Sequence, residues 1–328
     1  MGCVAERNQV LACAFAAVVA ACPAASSAQG FPSKPVRYVV PFGAGTSPDI
    51  VGRLLADRLT RTWGQQVIVD NRVGAAGVIG TAYVAKSPPD GYTLVQCNIA
   101  SSAIAVSLYA KMPYEQSRDI APVTRIGMTP NIMLVHPSLP IQSIRDFIAY
   151  ARARPGKLSY ASGLAGTSPH LSMELFKSMA KVDIVHIPYK NAAQAVADAI
   201  AGQVPMNISN FPASVVPVQT GRLRPIAVTS ANRVAQLPSV PAVRESGFRD
   251  YEVNSWYGVC APAGTPAELL DKLHDDVNAA LRSPELQARL TDLVMGGPAT
   301  SRDEFEQFIR SELSLWARVI KEAGIPQQ

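Results

Sequence analysis

Charge is scarce in this chain. Only 17% of its 328 residues are Asp, Glu, Lys or Arg, and 30 basic against 25 acidic residues leave a formal net charge of +5. No basic run exceeds two residues and aromatics amount to 7%. The basic stripe interleaved with stacking rings that holds nucleic acid is therefore absent. Cysteine is sparse as well. Three of the five lie in the first 28 residues (Cys3, Cys13, Cys22), which leaves Cys97 and Cys260 far apart in the chain. Two such residues form neither a zinc site nor a disulfide framework. They could pair in an oxidising compartment, but two buried free thiols are the expectation. The four histidines, His136, His170, His186 and His274, belong to no H-E-x-x-H helix, and no G-x-S-x-G elbow or Walker loop occurs. Those absences remove the standard signatures of metalloproteases, α/β-hydrolases and P-loop enzymes. No metal or cofactor is expected.

What is present is apolar and regular. Hydrophobic residues make up 48% of the chain, and its length suits about two compact units. Residues 1–28 read as a signal peptide: Arg7, then a run from Val10 to Ala21 too short to span a bilayer, then small residues up to Ala28. Val19-Ala20-Ala21-Cys22 also offers a lipid anchor at Cys22, although soluble release into the periplasm fits better. After Ala28 the pattern alternates strand and helix: VRYVV (36–40), a turn, a helix carrying Ile50, Val51, Leu54, Leu55 and Leu59, then QVIVD (66–70) and YTLVQC (92–97). A second series follows with strands at 132–136, 157–161, 183–187, 204–209 and 223–230. A long strand at 251–262 returns the chain toward the first series, and the end is helical, with Ser301 and Glu304 as a capping box. Such alternation predicts parallel sheets clothed by helices. The expected division is a first lobe from 29–127 plus 252–328 and a second from 128–251.

One tetrapeptide occurs twice, each time after a strand: Gly45-Thr46-Ser47-Pro48 and Gly166-Thr167-Ser168-Pro169. Serine as N-cap followed by proline as the first helical residue is a strong helix-start signal. A helix start presents unpaired N–H groups and the positive end of a dipole, so it takes up a carboxylate or phosphate without any charged side chain. One per lobe would grip an anion from both sides. A catalytic alternative would centre on His170, just inside the second helix, but no acidic partner adjoins it. A dinucleotide alternative would use Gly43-x-Gly45 with Asp70 on the ribose, yet Pro48 stands where the third glycine of that fingerprint belongs.

These stretches resemble the substrate-binding receptors of tripartite tricarboxylate transporters, the Bug-type extracytoplasmic receptors. The resemblance rests on FPSKP (31–35) with VRYVVPFGAGTSPDIVGRLLA, VIVDNRVGAAGVIGTAYVAKSPPDGYTL, PGKLSYASGLAGTSPHLSMELF, HIPYK (186–190) and SWYGVCAPAGTP (255–266). It implies a type II periplasmic binding protein: two α/β lobes joined by hinge strands, closing as a monomer on a small organic carboxylate for a membrane permease or a sensor. It also implies recognition by backbone amides and hydroxyls. By position, lobe 1 would contribute Phe42, Gly43, Ala44, Gly45, Thr46 and Ser47, with Asn98 and Ser101 from a following loop. Lobe 2 would contribute Gly163, Gly166, Thr167, Ser168, Tyr189 and Asn207. Asn98 could equally form its own turn, and Tyr189 could be a half-buried packing aromatic. Three residues depart from the family pattern: Thr46 for a second glycine, Asn191 after Tyr189-Lys190, and Asn207 for an aspartate. The last implies a ligand without an amine, since an ammonium in a dry site needs a counter-charge.

Overall fold

The computed structural model describes residues 30–327 apart from Pro298, Ala323 and Pro326, so the expected signal peptide and the candidate lipid anchor at Cys22 lie outside the described residues. Among the described residues there are nine strands: β1 (Val36–Val40), β2 (Val67–Asn71), β3 (Thr93–Asn98), β4 (Ile120–Val135), β5 (Ser159–Ser162), β6 (Val185–Pro188), β7 (Met206–Asn210), β8 (Arg224–Val228) and β9 (Asn254–Pro262). The helices are α1 (Ser47–Trp63), α2 (Val78–Ala85), α3 (Ala105–Leu108), α4 (Gln116–Asp119), α5 (Ile144–Arg152), α6 (Ser168–Ala180), α7 (Ala192–Ile200), α8 (Phe211–Gln219), α9 (Ala267–Leu281), α10 (Pro284–Asp292) and α11 (Arg302–Glu322).

The strand order is β2-β1-β3-β9-β4-β7-β5-β6, with β8 also on β4. Pairing is parallel at β1/β2, β1/β3, β5/β6 and β5/β7, and antiparallel wherever β9 or β4 takes part. Strand β4 belongs to both halves. Residues 120–130 pair with β9, whereas 131–135 pair with β7 and β8. Its length was hidden in the sequence, where only 132–136 has the apolar run of a strand. Pro122, Gly127 and Pro130 interrupt the rest, and the register shifts beside Pro122 and Gly127 show how the strand absorbs them as bulges.

Strand β9 carries the chain back into lobe 1, where α9 packs on α1 and α11 packs on β4 and α3. Gly258 is the close-approach point: a Cβ there would fall inside the ring of buried Phe305 on α11. Trp256 Nε1 donates to Glu312 Oε2 at 2.9 Å, tying the same helix to the strand. The expected capping box is formed, with Ser301 N on Glu304 Oε2 at 2.8 Å and Glu304 N on Ser301 Oγ at 3.1 Å. Ser143 caps α5 through the Asp146 amide.

Two expectations need correction. Cys97 and Cys260 are not free thiols but a disulfide. β3 and β9 are antiparallel neighbours in which Val95 faces Cys260 and Cys97 faces Gly258, so the two Cα atoms lie 5.8 Å apart, within disulfide reach. A separation of 163 residues is erased by the return of the chain. The helix caps also shift by one residue. Thr46 and Thr167 are the N-caps, extended at ψ 161°, while Ser47 and Ser168 open the helices with Pro48 and Pro169 second.

Candidate functional site

Both repeated turns are built alike. Gly45 and Gly166 sit in the left-handed region at φ +75° and +80°, where a side chain is strained, and this bend delivers the strand end into the helix start. Neither cap threonine bonds forward into its helix; each reaches back instead. Thr46 Oγ1 donates to Gly43 O at 2.6 Å and Thr167 Oγ1 to Leu164 O at 2.8 Å. The amides of Ser47 and Asp49, and of Ser168 and His170, therefore remain as the first-turn donors that a helix cannot satisfy itself; the prolines between them have none. The third residue of each helix accepts from the glycine amide: Asp49 Oδ2 from Gly45 N at 2.9 Å, His170 Nδ1 from Gly166 N at 3.2 Å.

The two turns face one cleft. Phe42, Gly43, Thr46 and Ser47 line it from lobe 1, and Gly163, Leu164, Thr167 and Ser168 from lobe 2. The halves touch across it. A Cβ on Gly43 would lie 3.5 Å from the Asn191 side chain, and Ala213 N donates to Ser47 Oγ at 3.1 Å. Asn191 caps α7 by accepting from Ala193 N at 3.0 Å, so this departure from the family pattern supplies a side-chain cap. Thr46, the other departure on the cleft wall, spends its hydroxyl on its own turn.

Sequence reasoning missed the floor. Ser209, Asn210, Ser255 and Tyr257 line the cleft, as does Ala213. Asn210 Nδ2 lies 2.6 Å from Asn131 Oδ1, 2.5 Å from Ser255 Oγ and 3.3 Å from Ser168 Oγ, and the Tyr257 hydroxyl donates to Asn210 Oδ1 at 3.3 Å. Ser168 and Ser255 are themselves hydrogen-bonded. Burial pushes the Tyr257 phenol well above its ordinary pKa, so it stays neutral. A signal for this floor existed. Asn210-Phe211-Pro212 repeats the cap–X–proline order of Thr46-Ser47-Pro48 and Thr167-Ser168-Pro169, and it opens α8 as a third helix start on the cleft.

Other expected site residues sit apart from the lining. Ala44, Gly45 and Gly166 shape the turns behind it. Asn98 does line the cleft, but its Oδ1 accepts from Ala100 N and Ser101 N at 2.9 and 3.2 Å, the turn-forming role. Ser101 is buried, 3.3 Å from Asn98 Nδ2. Tyr189 is half-buried and donates to Asp198 Oδ2 at 2.8 Å; burial and that carboxylate raise its phenol. Asn207 is fully buried, donating to Ala161 O at 3.3 Å and accepting from Ser209 Oγ at 2.5 Å. It does not reach the cleft, so its identity cannot decide for or against a ligand amine. Among the described residues no carboxylate lines the cleft.

The two alternatives lose their residues. Asp70 Oδ2 is held by Arg37 at 2.7 Å and by Arg72 at 2.8 Å, which leaves no free acid for a ribose. Burial lowers the His170 imidazole to about 4. Burial also takes His186 to about 3, helped by neighbouring His170 and Lys177. The two rings stack at 4.2 Å, with Tyr160 against His186 at 4.8 Å. His170 is a buried neutral acceptor behind the lobe-2 turn, outside the cleft lining.

Comparison with known proteins agrees with this geometry. The family described as "Tripartite tricarboxylate transporter family receptor" matches residues 51–325. Rpa4515 of R. palustris, solved with adipate, is 38% identical and superposes with a TM-score of 0.88 over 91% of this chain and 100% of that one. MatC from Rhodopseudomonas palustris, solved with malate, is 29% identical with a TM-score of 0.84, covering 88% of this chain and all of that one. BugT of Bordetella pertussis is 36% identical over 299 residues, 91% of this chain and 92% of the relative. The two-lobed α/β fold with its shared cleft is thus a familiar one, and the chain belongs to the tripartite tricarboxylate transporter receptor family, whose members are periplasmic solute-binding proteins.

Proposed function

We propose that this protein captures a small organic carboxylate between its lobes, outside the cytoplasm, and hands it to a tripartite-type membrane permease or to a sensor without transforming it. The observation that carries the reading is the convergence of three cap–X–proline helix starts on one cleft. The α1 and α6 starts bring backbone donors, the α8 start spends its Ala213 amide on Ser47 Oγ, and each adds about half a positive charge at its helix end. A carboxylate accepts several such hydrogen bonds, and charge-assisted bonds are roughly twice as strong as neutral ones. The adipate and malate held by two relatives are small carboxylates and support the same ligand class. The reading further takes the chain to be cleaved after Ala28 and to act as a monomer.

Calorimetry and thermal-shift screening of the secreted protein against a panel of mono-, di- and tricarboxylates test this. At least one should bind at micromolar concentration and raise the melting temperature, and mass spectrometry should recover it unchanged after incubation. No binding across the panel would sink the carboxylate reading, and consumption of a bound compound would replace the receptor by an enzyme.

A further inference from the structure

Nearly every group facing the cleft is neutral. Lys190 is the one charged side chain among the described residues that line it, and the cleft offers it no acidic partner. It sits on the lobe-2 rim between β6 and the start of α7, exposed, next to the Asn191 that faces Gly43 of lobe 1. The cleft thus holds two kinds of anion site. One is dipolar, made of helix-start amides and hydroxyls; the other is ionic, made of a single ammonium on the rim that meets lobe 1.

We infer that Lys190 is a specificity-determining residue: it pairs with a second anionic group of the ligand, so that the cleft distinguishes α,ω-dicarboxylates from monocarboxylates of the same length. The inference rests on the carboxylate reading above. A first carboxylate held by neutral donors leaves Lys190 with no role, whereas a dianion engages both sites at once. The rim already meets lobe 1 where Asn191 faces Gly43, so a ligand group held beside it is partly shielded from water, which strengthens the pair beyond an ordinary surface ion pair. A lysine on an exposed rim also raises the association rate of anions in a salt-dependent way.

The test uses the mature protein with adipate and hexanoate, and with the corresponding pairs from four to eight carbons, measured by calorimetry. The wild type should bind the preferred dicarboxylate at least about tenfold more tightly than its monocarboxylate partner. Lys190→Met should weaken that dicarboxylate about five- to tenfold and flatten its salt dependence, leaving the monocarboxylate unchanged. Lys190→Arg should restore most of the difference. Equal losses in both series, an unaffected dicarboxylate, or a wild type that treats the two series alike would each overturn the role of Lys190 while leaving the receptor reading intact. If neither series binds the wild type, the carboxylate reading falls and this inference with it.

Discussion

The two glycine–threonine–serine–proline turns share a backbone, yet they are locked by opposite chemistry. In lobe 1 the lock is ionic. Burial works against the Asp49 charge, but hydrogen bonds from Arg53, Asn71 and the Gly45 amide outweigh it and hold the carboxyl below the usual carboxylate range. In lobe 2 the lock is neutral, an unprotonated His170 stacked on His186 in a buried column. The same hydrogen bond to a glycine amide can thus be supplied by an anion tied to a surface arginine or by a desolvated imidazole. The difference lies in what surrounds it. Arg53 reaches Asp49 from the next turn of α1, whereas Tyr160 and His186 wall in His170. One lobe holds its helix start with a carboxylate paired to Arg53, the other with a neutral imidazole.

That contrast can be broken most strongly at Asp49. Asp49→Ala strips acceptors from Gly45 N, Asn71 Nδ2 and Arg53 together, and it should cost about 3 kcal/mol in urea unfolding. An unchanged midpoint would mean that the turn holds itself. A smaller effect separates the glycines. Gly45→Ala meets only strain, about 1 kcal/mol, because its nearest new neighbour would be 3.8 Å away. Gly166→Ala adds a Cβ 2.7 Å from Cδ2 of Leu108, a fully buried lobe-1 residue, so it should lose about 2 kcal/mol and weaken ligand-induced closure as well. Small-angle scattering with and without ligand reads the closure; equal behaviour of the two variants would contradict the contact across the lobes.

The least disruptive probe is pH. The folded pKa of His170, about 4, lies below its ordinary 6.5, so the unfolded chain binds protons first as pH falls. Its contribution is complete above about pH 6.5 and is lost between 6.5 and 4, amounting to about 1–2 kcal/mol by pH 5. Asp49 is shifted in the same downward sense, so its share is also lost as pH falls, but only once the pH drops below about 4. His186, taken down to about 3, loses stability over the same window, so His170→Gln should reduce but not abolish the fall of the urea midpoint between pH 7 and 5, leaving the steeper fall below pH 4; a slope identical to the wild type would clear His170 of responsibility.

How much of this was legible beforehand varies with the kind of signal. β1 declared itself as a β-branched run ended by Pro41. The turns declared themselves by repetition. β4 did not, because prolines at 122 and 130 mimic loop, and only the pairing with β9 reveals a bulge beside Pro122 and a paired Pro130. α8 did not either, since Pro212 and Pro217 bracket a segment without charge; Pro217 lies inside the helix. The cleft walls were thus readable and its floor was not. Asn210 and Ser255 are polar residues within strands, 45 positions apart, and nothing local says that β7 and β9 will flank β4 and bring their side chains within 2.5 Å. Ser101, Tyr189 and Asn207 went the other way: positional transfer put them at the ligand, while their hydrogen bonds commit them to Asn98, Asp198 and Ala161.

The cross-strand bond between Cys97 and Cys260 makes a ring of everything between them, and β5, β6, β7 and β8 all lie inside it. A single protease nick within that ring, for instance at exposed Arg222, opens the circle without freeing a fragment. The severed pieces stay one molecule, with the crevice still bordered on both sides, until a thiol reductant parts them.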